Sequence, residues 1–478
     1  MKNKILIVII SVLFALIYFG CDDYNKLVAP DVDLGSANFS RFVTIGNSLT
    51  AGYQAGSLFE SSQDYSYGNL IAKKLEFTFA QPIISDPGTG GRIEILSLDP
   101  FETRINPSIG SPKNLTYPAP YNNLGIPGAL LYDVLNATNA NDCASALFAG
   151  IPNPMFDIIL RNSSLNLGTQ LQQATALDPT LIVVWLGNND VLGFATSGGT
   201  SPSQPTSDQL FSQLYTILGD ALGSLNADVI LGNVFDVTTI TFFNTVGPQM
   251  SQEIPWSVLA SQGAPGLFYQ MHGETIASGI ADSLTLLTGG VLVTLSASSY
   301  AGLVGVPTGK FYIDNNFPGI PSGIDTTKPF GLHPQNPWPD ALILDPNEIV
   351  TAKNASDAYN NIISAVAGSK GFGLVDFNTV LKTIRMNDFT GGTTYNGMTF
   401  TTRYIEGGIF SLDGVHPTYQ GQGIMANEFI KVINDKLNAK IPLIDISNIP
   451  GSLNFASNVT LKNGYYIFPK GMFDNLFF

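Results

Sequence analysis

Short runs of β-branched and apolar residues alternate with segments of helical period along this chain, and that alternation restricts the fold more than any other feature. Residues 42–45 (Phe-Val-Thr-Ile), 181–186 (Leu-Ile-Val-Val-Trp-Leu), 229–231 and 372–376 read as strands. Residues 165–177, 209–225, 352–367 and 419–440 read as helices. Strands separated by helices pair in parallel through crossovers, so the pattern predicts an α/β domain. Its mostly parallel central sheet should be covered on both faces, with the ligand site at the carboxyl ends of the strands. Two stretches, at about 59–120 and 236–346, do not follow the alternation. They hold many Gly and Pro and several aromatic residues, among them Phe242, Phe243, Trp256, Phe268 and Tyr269. They are expected to be long loop insertions that roof the sheet and not a separate domain.

The ends of the chain obey other constraints. Lys2 and Lys4 precede an uncharged apolar run over residues 5–19, short for a membrane span of about 20 residues. Gly20 and Cys21 follow, and Asp22 and Asp23 then switch the chain abruptly to polar. This layout resembles a bacterial lipobox, which implies a signal peptide over 1–20, lipidation of Cys21 and a tether over 21–38. The alternative is an uncleaved signal anchor. Both put the body outside the cytoplasm, and the lipoprotein form implies a lipid anchor in a bacterial outer membrane. The core domain is then 39–440. The tail, 441–478, contains Tyr465, Tyr466, Phe477 and Phe478 and is expected to pack on the domain, because a barrel would need many alternating strands.

Charge narrows the partners. Without the first 20 residues the chain has 20 basic and 37 acidic residues, a formal charge of −17. That excludes nucleic acid and anionic lipid surfaces as charge-driven partners. Cys21 and Cys143 are the chain's two cysteines, so if Cys21 is acylated no internal disulfide can form. Cys143 is then either an inert core residue or, less commonly for a cysteine, a reactive thiol.

Acyl transfer by serine needs an exposed hydroxyl, an imidazole base, a group that orients the imidazole, and donors for the oxyanion. The chain has three histidines. His272 and His333 lack an acidic residue at a spacing that would orient them. His416 lies in Asp-Gly-Val-His, three residues after Asp413 and just before the last helical segment. There the carboxylate can reach the ring, although an Asp in a loop also satisfies local backbone donors. Ser48 lies two residues after the strand-ending Gly46, in Gly-Asn-Ser-Leu, a sequence that also suits an ordinary turn. Gly-Asn-Asn-Asp (187–190) follows another strand and offers side-chain amides. Asn-Leu-Gly-Ile-Pro-Gly (123–128) offers backbone donors in a glycine turn.

Taken in order, these four segments resemble the blocks of the SGNH (GDSL-like) hydrolase family. The resemblance implies a three-layer α/β/α, flavodoxin-like fold. It implies a triad of Ser48, Asp413 and His416, and an oxyanion hole from the backbone of Ser48 and Gly128 and the side chain of Asn189. Asn47 stands where that family usually has Asp, and 222 residues separate Asp190 from Asp413, more than its compact members use. The implied activity is hydrolysis of carboxylic esters by an esterase or lipase, with an acyl lipid or an acetylated glycan as substrate, by a chain that acts as a monomer. No cofactor or metal is implied, and no cluster of ligand-type residues stands together in sequence. The rival expectation is a surface-anchored glycan- or lipid-binding module on the same fold.

Overall fold

The structure, a computed structural model, describes residues 32–98, 101–261, 263–456, 460–462 and 465–467. Five strands form the central sheet: β1 (Phe42–Gly46), β2 (Asn123–Gly125), β3 (Leu181–Trp185), β4 (Asp228–Gly232) and β5 (Gly373–Val375). All pair in parallel, in the order β2-β1-β3-β4-β5. β1 and β3 are buried along their whole length. This is why their sequences run apolar without alternation: both faces of the sheet are covered. The chain leaves β1 for β2 on one side and then crosses to β3 on the other, so the carboxyl ends of β1 and β3 flank the topological switch point. β2 was not expected as a strand. It is three residues long and lacks β-branched side chains, and only its register with Thr44, Ile45 and Gly46 makes it one.

Nine helices matter to the site: α1 (Ser48–Ala51), α2 (Tyr67–Lys74), α3 (Leu131–Asn136), α4 (Gln170–Ala176), α5 (Asn189–Thr196), α6 (Asp208–Gly223), α7 (Pro346–Lys370), α8 (Phe377–Asn387) and α9 (Tyr419–Leu437). On one face α3 to α7 form a layer. Phe211 of α6 and Tyr359 of α7 stack in it with ring centres 3.9 Å apart. On the other face α2, α8 and α9 bring Tyr67, Phe377 and Phe429 around Trp185 of β3, with Trp185 stacked on Phe377 at 3.9 Å. The three layers agree with the expected α/β architecture.

Helix ends depart from the periodicity for local reasons. α4 starts later than expected because Asn166 and Gly168 take positive φ, and Thr169 then caps the helix by accepting from the Gln172 N–H. α7 starts earlier, at Pro346, where Asp345 accepts from the N–H groups of Asn347 and Glu348. A polar first turn hides such a start from hydrophobic periodicity.

The 236–346 insertion was expected to be a roof resting on the sheet. It builds an apolar core of its own, in which Trp338 is fully buried against Phe330, beside Trp256, Tyr269 and Phe311. The supposed tether is also partly structured. Asp33 bridges to Lys440, the Ser36 N–H donates to Leu437 O at 2.8 Å, and Ala37 is buried. Residues 441–456 of the tail pack through Ile441, Ile446, Ile449 and Ala456, while Phe477 and Phe478 lie outside the described residues. Cys21 and residues 1–20 lie outside the described residues. Among the described residues no helix is long and apolar enough to cross a membrane.

Candidate active site

β1 ends at Gly46, a position that admits nothing larger than glycine: an added Cβ would lie 1.8 Å from Thr50 Oγ1 and 2.9 Å from Trp185 O. Asn47 then turns the chain. Its side-chain oxygen accepts from the Leu49 N–H at 3.1 Å and caps α1, whose first residue is Ser48. Asn caps a helix as well as Asp does. Two buried glutamines hold this edge from the helical layers. Gln170 of α4 donates to Gly46 O at 2.7 Å and also to Leu124 O. Gln422 of α9 donates to Leu49 O at 2.9 Å and accepts from the Tyr67 N–H at 3.0 Å. Neither glutamine was singled out from sequence, because a lone Gln in a helical pattern carries no signal of burial.

His416 arrives from the other end of the chain. Residues 411–416 form a closed turn in which the Ser411 N–H donates to His416 O and the Gly414 N–H to Ser411 O, both at 2.8 Å. Thr418 then caps α9 by accepting from the Gly421 N–H. The turn sets Asp413 Oδ2 2.9 Å from His416 Nδ1, and His416 Nε2 lies 2.9 Å from Ser48 Oγ. Asp413 Oδ1 accepts from the N–H groups of Val415 and His416, at 2.9 and 2.8 Å. Its Oδ2 also accepts from the Gly56 N–H at 2.9 Å, a donor from the loop after α1 that sequence reasoning missed.

Burial by itself would raise the Asp413 carboxyl, but the His416 imidazole and these donors outweigh it and hold the group at about 2. An ionised carboxylate only accepts, so His416 Nδ1 carries a hydrogen, and in the neutral ring Nε2 is the acceptor facing Ser48. The Ser48 hydroxyl therefore donates to the ring. Tyr53 packs its ring 4.7 Å from the imidazole and fixes its plane further; burial and the Asp413 charge push its hydroxyl well above the usual tyrosine range.

The glycine turn after β2 approaches the same edge. The Ile126 N–H donates to Gly46 O at 3.0 Å, and Gly128 follows with φ +81. Asn189, the first residue of α5, donates from its amide to Ala129 O at 2.9 Å. An amide nitrogen carries two hydrogens, so this contact uses one of them. Asn188 faces elsewhere, accepting from the Phe235 N–H at 3.3 Å. Asp190, which had no expected role, locks the arrangement. One carboxyl oxygen accepts from the Leu131 N–H at 3.0 Å and the other from Thr206 Oγ1 at 2.9 Å. Burial pushes Asp190 up to about 7.

A cavity of about 740 Å³ opens beside the His416 turn, lined by Phe101, Phe242, Leu295, Tyr404, Ile405 and Asp413 among others. Its volume suits a small-molecule pocket. Phe242 is on its wall, while Phe243 is buried in the main core. The other residues weighed from sequence lie apart. Cys143 is fully buried, with its thiol on Ala140 O at 3.2 Å. His333 accepts from the Gln335 N–H at 3.1 Å in a turn. His272, which has no acidic residue at a sequence spacing that would orient it, sits beside Asp340 and Glu348.

No protein-family model matches the chain, and no curated protein matches it in sequence. Among solved structures it is similar to LAE5, described as an alpha/beta hydrolase enzyme from the metagenome of Lake Arreo, Spain, at 11% identity and a TM-score of 0.33, over 83% of this chain and 96% of that one. It is similar to a mutant of Axe2, an acetyl-xylooligosaccharide esterase from Geobacillus stearmophilus, at 11% identity and a TM-score of 0.31, over 82% and 93%. A third is an extracellular lipase from Streptomyces rimosus, at 16% identity and a TM-score of 0.28, over 83% and 98%. Likeness this low carries no argument about the reaction, so any functional reading rests on the residues of this chain.

Proposed function

We propose that this protein is a serine hydrolase of the SGNH type that cleaves carboxylic esters through an acyl-enzyme on Ser48. The observation that carries the reading is the unbroken chain of two 2.9 Å contacts from Ser48 Oγ through the His416 ring to Asp413. In the proposed cycle His416 takes the Ser48 proton as the oxygen attacks the ester carbonyl. Asp413 stabilises the imidazolium that forms. The backbone N–H groups of Ser48 and Gly128 and the second amide hydrogen of Asn189 receive the oxyanion. His416 then gives its proton to the leaving alcohol, and water releases the acid by the same route. The substrate would be an acyl lipid or an acetylated glycan; the 740 Å³ cavity, which reaches the site at Asp413 and carries Phe101, Phe242, Leu295 and Ile405 on its wall, supports an ester with an apolar part.

The test is hydrolysis of p-nitrophenyl acetate, butyrate and palmitate by the full-length chain in detergent, beside its Ser48→Ala variant, with labelling by a serine-directed phosphonate. Activity and labelling that vanish with Ser48 are expected, and the profile over chain length then separates deacetylase from lipase. Hydrolysis undiminished in the variant refutes the assignment of Ser48. Failure of the intact chain both to turn over and to label favours the binding module.

A further inference from the structure

We propose that His272, Asp340 and Glu348 form a site for one divalent transition-metal ion of the zinc type, which clamps the 236–346 insertion to α7. Nδ1 of His272 lies 3.8 Å from Asp340 Oδ2 and 3.6 Å from Glu348 Oε1, and one donor atom from each residue falls within 4.8 Å of the others. A tetrahedral ion with bonds of about 2.0–2.2 Å to nitrogen and oxygen separates its donors by about 3.3–3.6 Å. The three side chains therefore need only small movements to close on such an ion.

Glu348 has an ordinary structural use that accounts for half of its carboxylate. Its Oε2 accepts from the Asp345 N–H at 2.9 Å, closing the capping box of α7. Its Oε1 is buried with no hydrogen-bond partner, on a side chain only 6% exposed. Asp340 differs in detail: its Oδ2 faces His272, and the other oxygen, Oδ1, is the one buried without a hydrogen-bond partner. Buried carboxylate oxygens are costly unless something positive or protic meets them. The backbone reinforces the arrangement: Gly199, with φ +74, packs so close to Glu348 that a Cβ there would lie 2.0 Å from Oε1.

The donor set selects the metal. One imidazole nitrogen with two carboxylate oxygens suits zinc and its neighbours, whereas calcium seeks six to eight oxygens. His272 is exposed on one side and borders a cavity of about 400 Å³, which leaves room for a water as fourth ligand. The topology gives the role. His272 lies within the insertion, Asp340 near its end and Glu348 in the first turn of α7, so the ion would tie two separate parts of the insertion to a helix of the sheet's outer layer.

The experiment uses the full-length chain in detergent, stripped with EDTA, dialysed, and titrated with ZnCl₂ or CaCl₂ while calorimetry and thermal melting are followed. One zinc per chain and a zinc-dependent rise in melting temperature are expected, with no response to calcium. His272→Ala should lower zinc affinity at least about tenfold, since binding of such an ion rests on few ligands. Because His272 is exposed, that variant should melt like the parent in EDTA. Glu348→Gln keeps the capping acceptor and should also lose the zinc response. Zinc affinity unchanged in both variants, affinity abolished by His416→Ala instead, a calcium response without a zinc one, or no zinc binding would each overturn the proposal. None of these readouts depends on ester hydrolysis, so the outcome is separate from that of the proposed function.

Discussion

Burial and hydrogen bonding pull the Asp413 carboxyl in opposite directions, and the second wins, with the group held at about 2 against an ordinary 3.8. The native state therefore binds fewer protons than the unfolded chain between about pH 4 and pH 2, and the stabilisation is complete above that window and lost as pH falls through about 2. Asp413→Asn removes this titration. Urea denaturation should show a stability gap between the parent and Asp413→Asn that is constant near neutral pH and narrows as pH falls from about 4 to about 2. A gap that widens on acidification contradicts the assignment. In the proposed mechanism the same variant loses about 10⁴-fold in kcat, because an amide does not hold the required tautomer. Asn189→Ala should cost about 10² to 10³ in kcat if its amide serves the oxyanion. An unchanged rate would move that donor elsewhere. The sequence made Ser48, Asp413 and His416 legible because each stands in a short motif at an element boundary. Gly56 and Tyr53 carried no such sign, and Asp190, although the last residue of Gly-Asn-Asn-Asp, carried no sign of its role, for all three act through contacts with residues far away in the chain.

At the scale of elements, the site depends on how closely β2 approaches α1. An added Cβ on Gly125 would lie 2.3 Å from Ala51 N and 2.7 Å from Thr50 C, both backbone atoms that cannot swing aside. Gly125→Ala must then push α1, and Ser48 with it, away from the His416 turn. The expected result is a loss of about 1–3 kcal/mol of stability by denaturant titration, accompanied by a fall in kcat. Retention of both would show that β2 has slack that the contacts deny. β2 also marks the limit of periodicity: three residues without β-branched side chains cannot announce a strand, and pairing with β1 alone defines it. The apolar runs of β1 and β3 were legible for the opposite reason, since complete burial leaves no charged residue and no polar alternation in them, Thr44 being the single hydroxyl.

For the whole molecule, the sequence expectation of a lipid anchor at Cys21 is testable independently of the fold. Cys21→Ser should move the protein from the membrane fraction to the soluble one with the ester hydrolysis per chain unchanged, by fractionation and p-nitrophenyl ester assay. Retention in the membrane would favour the uncleaved signal anchor. By itself the sequence determined the α/β class, the parallel sheet, the positions of its apolar central strands and the short motifs at their carboxyl ends. These are local properties, written in periodicity and in turns of a few residues. Tertiary structure decided the rest. It made 123–125 an edge strand, gave the 236–346 insertion a core of its own, and packed the end of the supposed tether against Leu437. It also brought His272 to Asp340 and Glu348, which lie 68 and 76 residues further along the chain. Contacts across such separations leave no pattern in a single sequence, because each partner is free to look ordinary among its own neighbours.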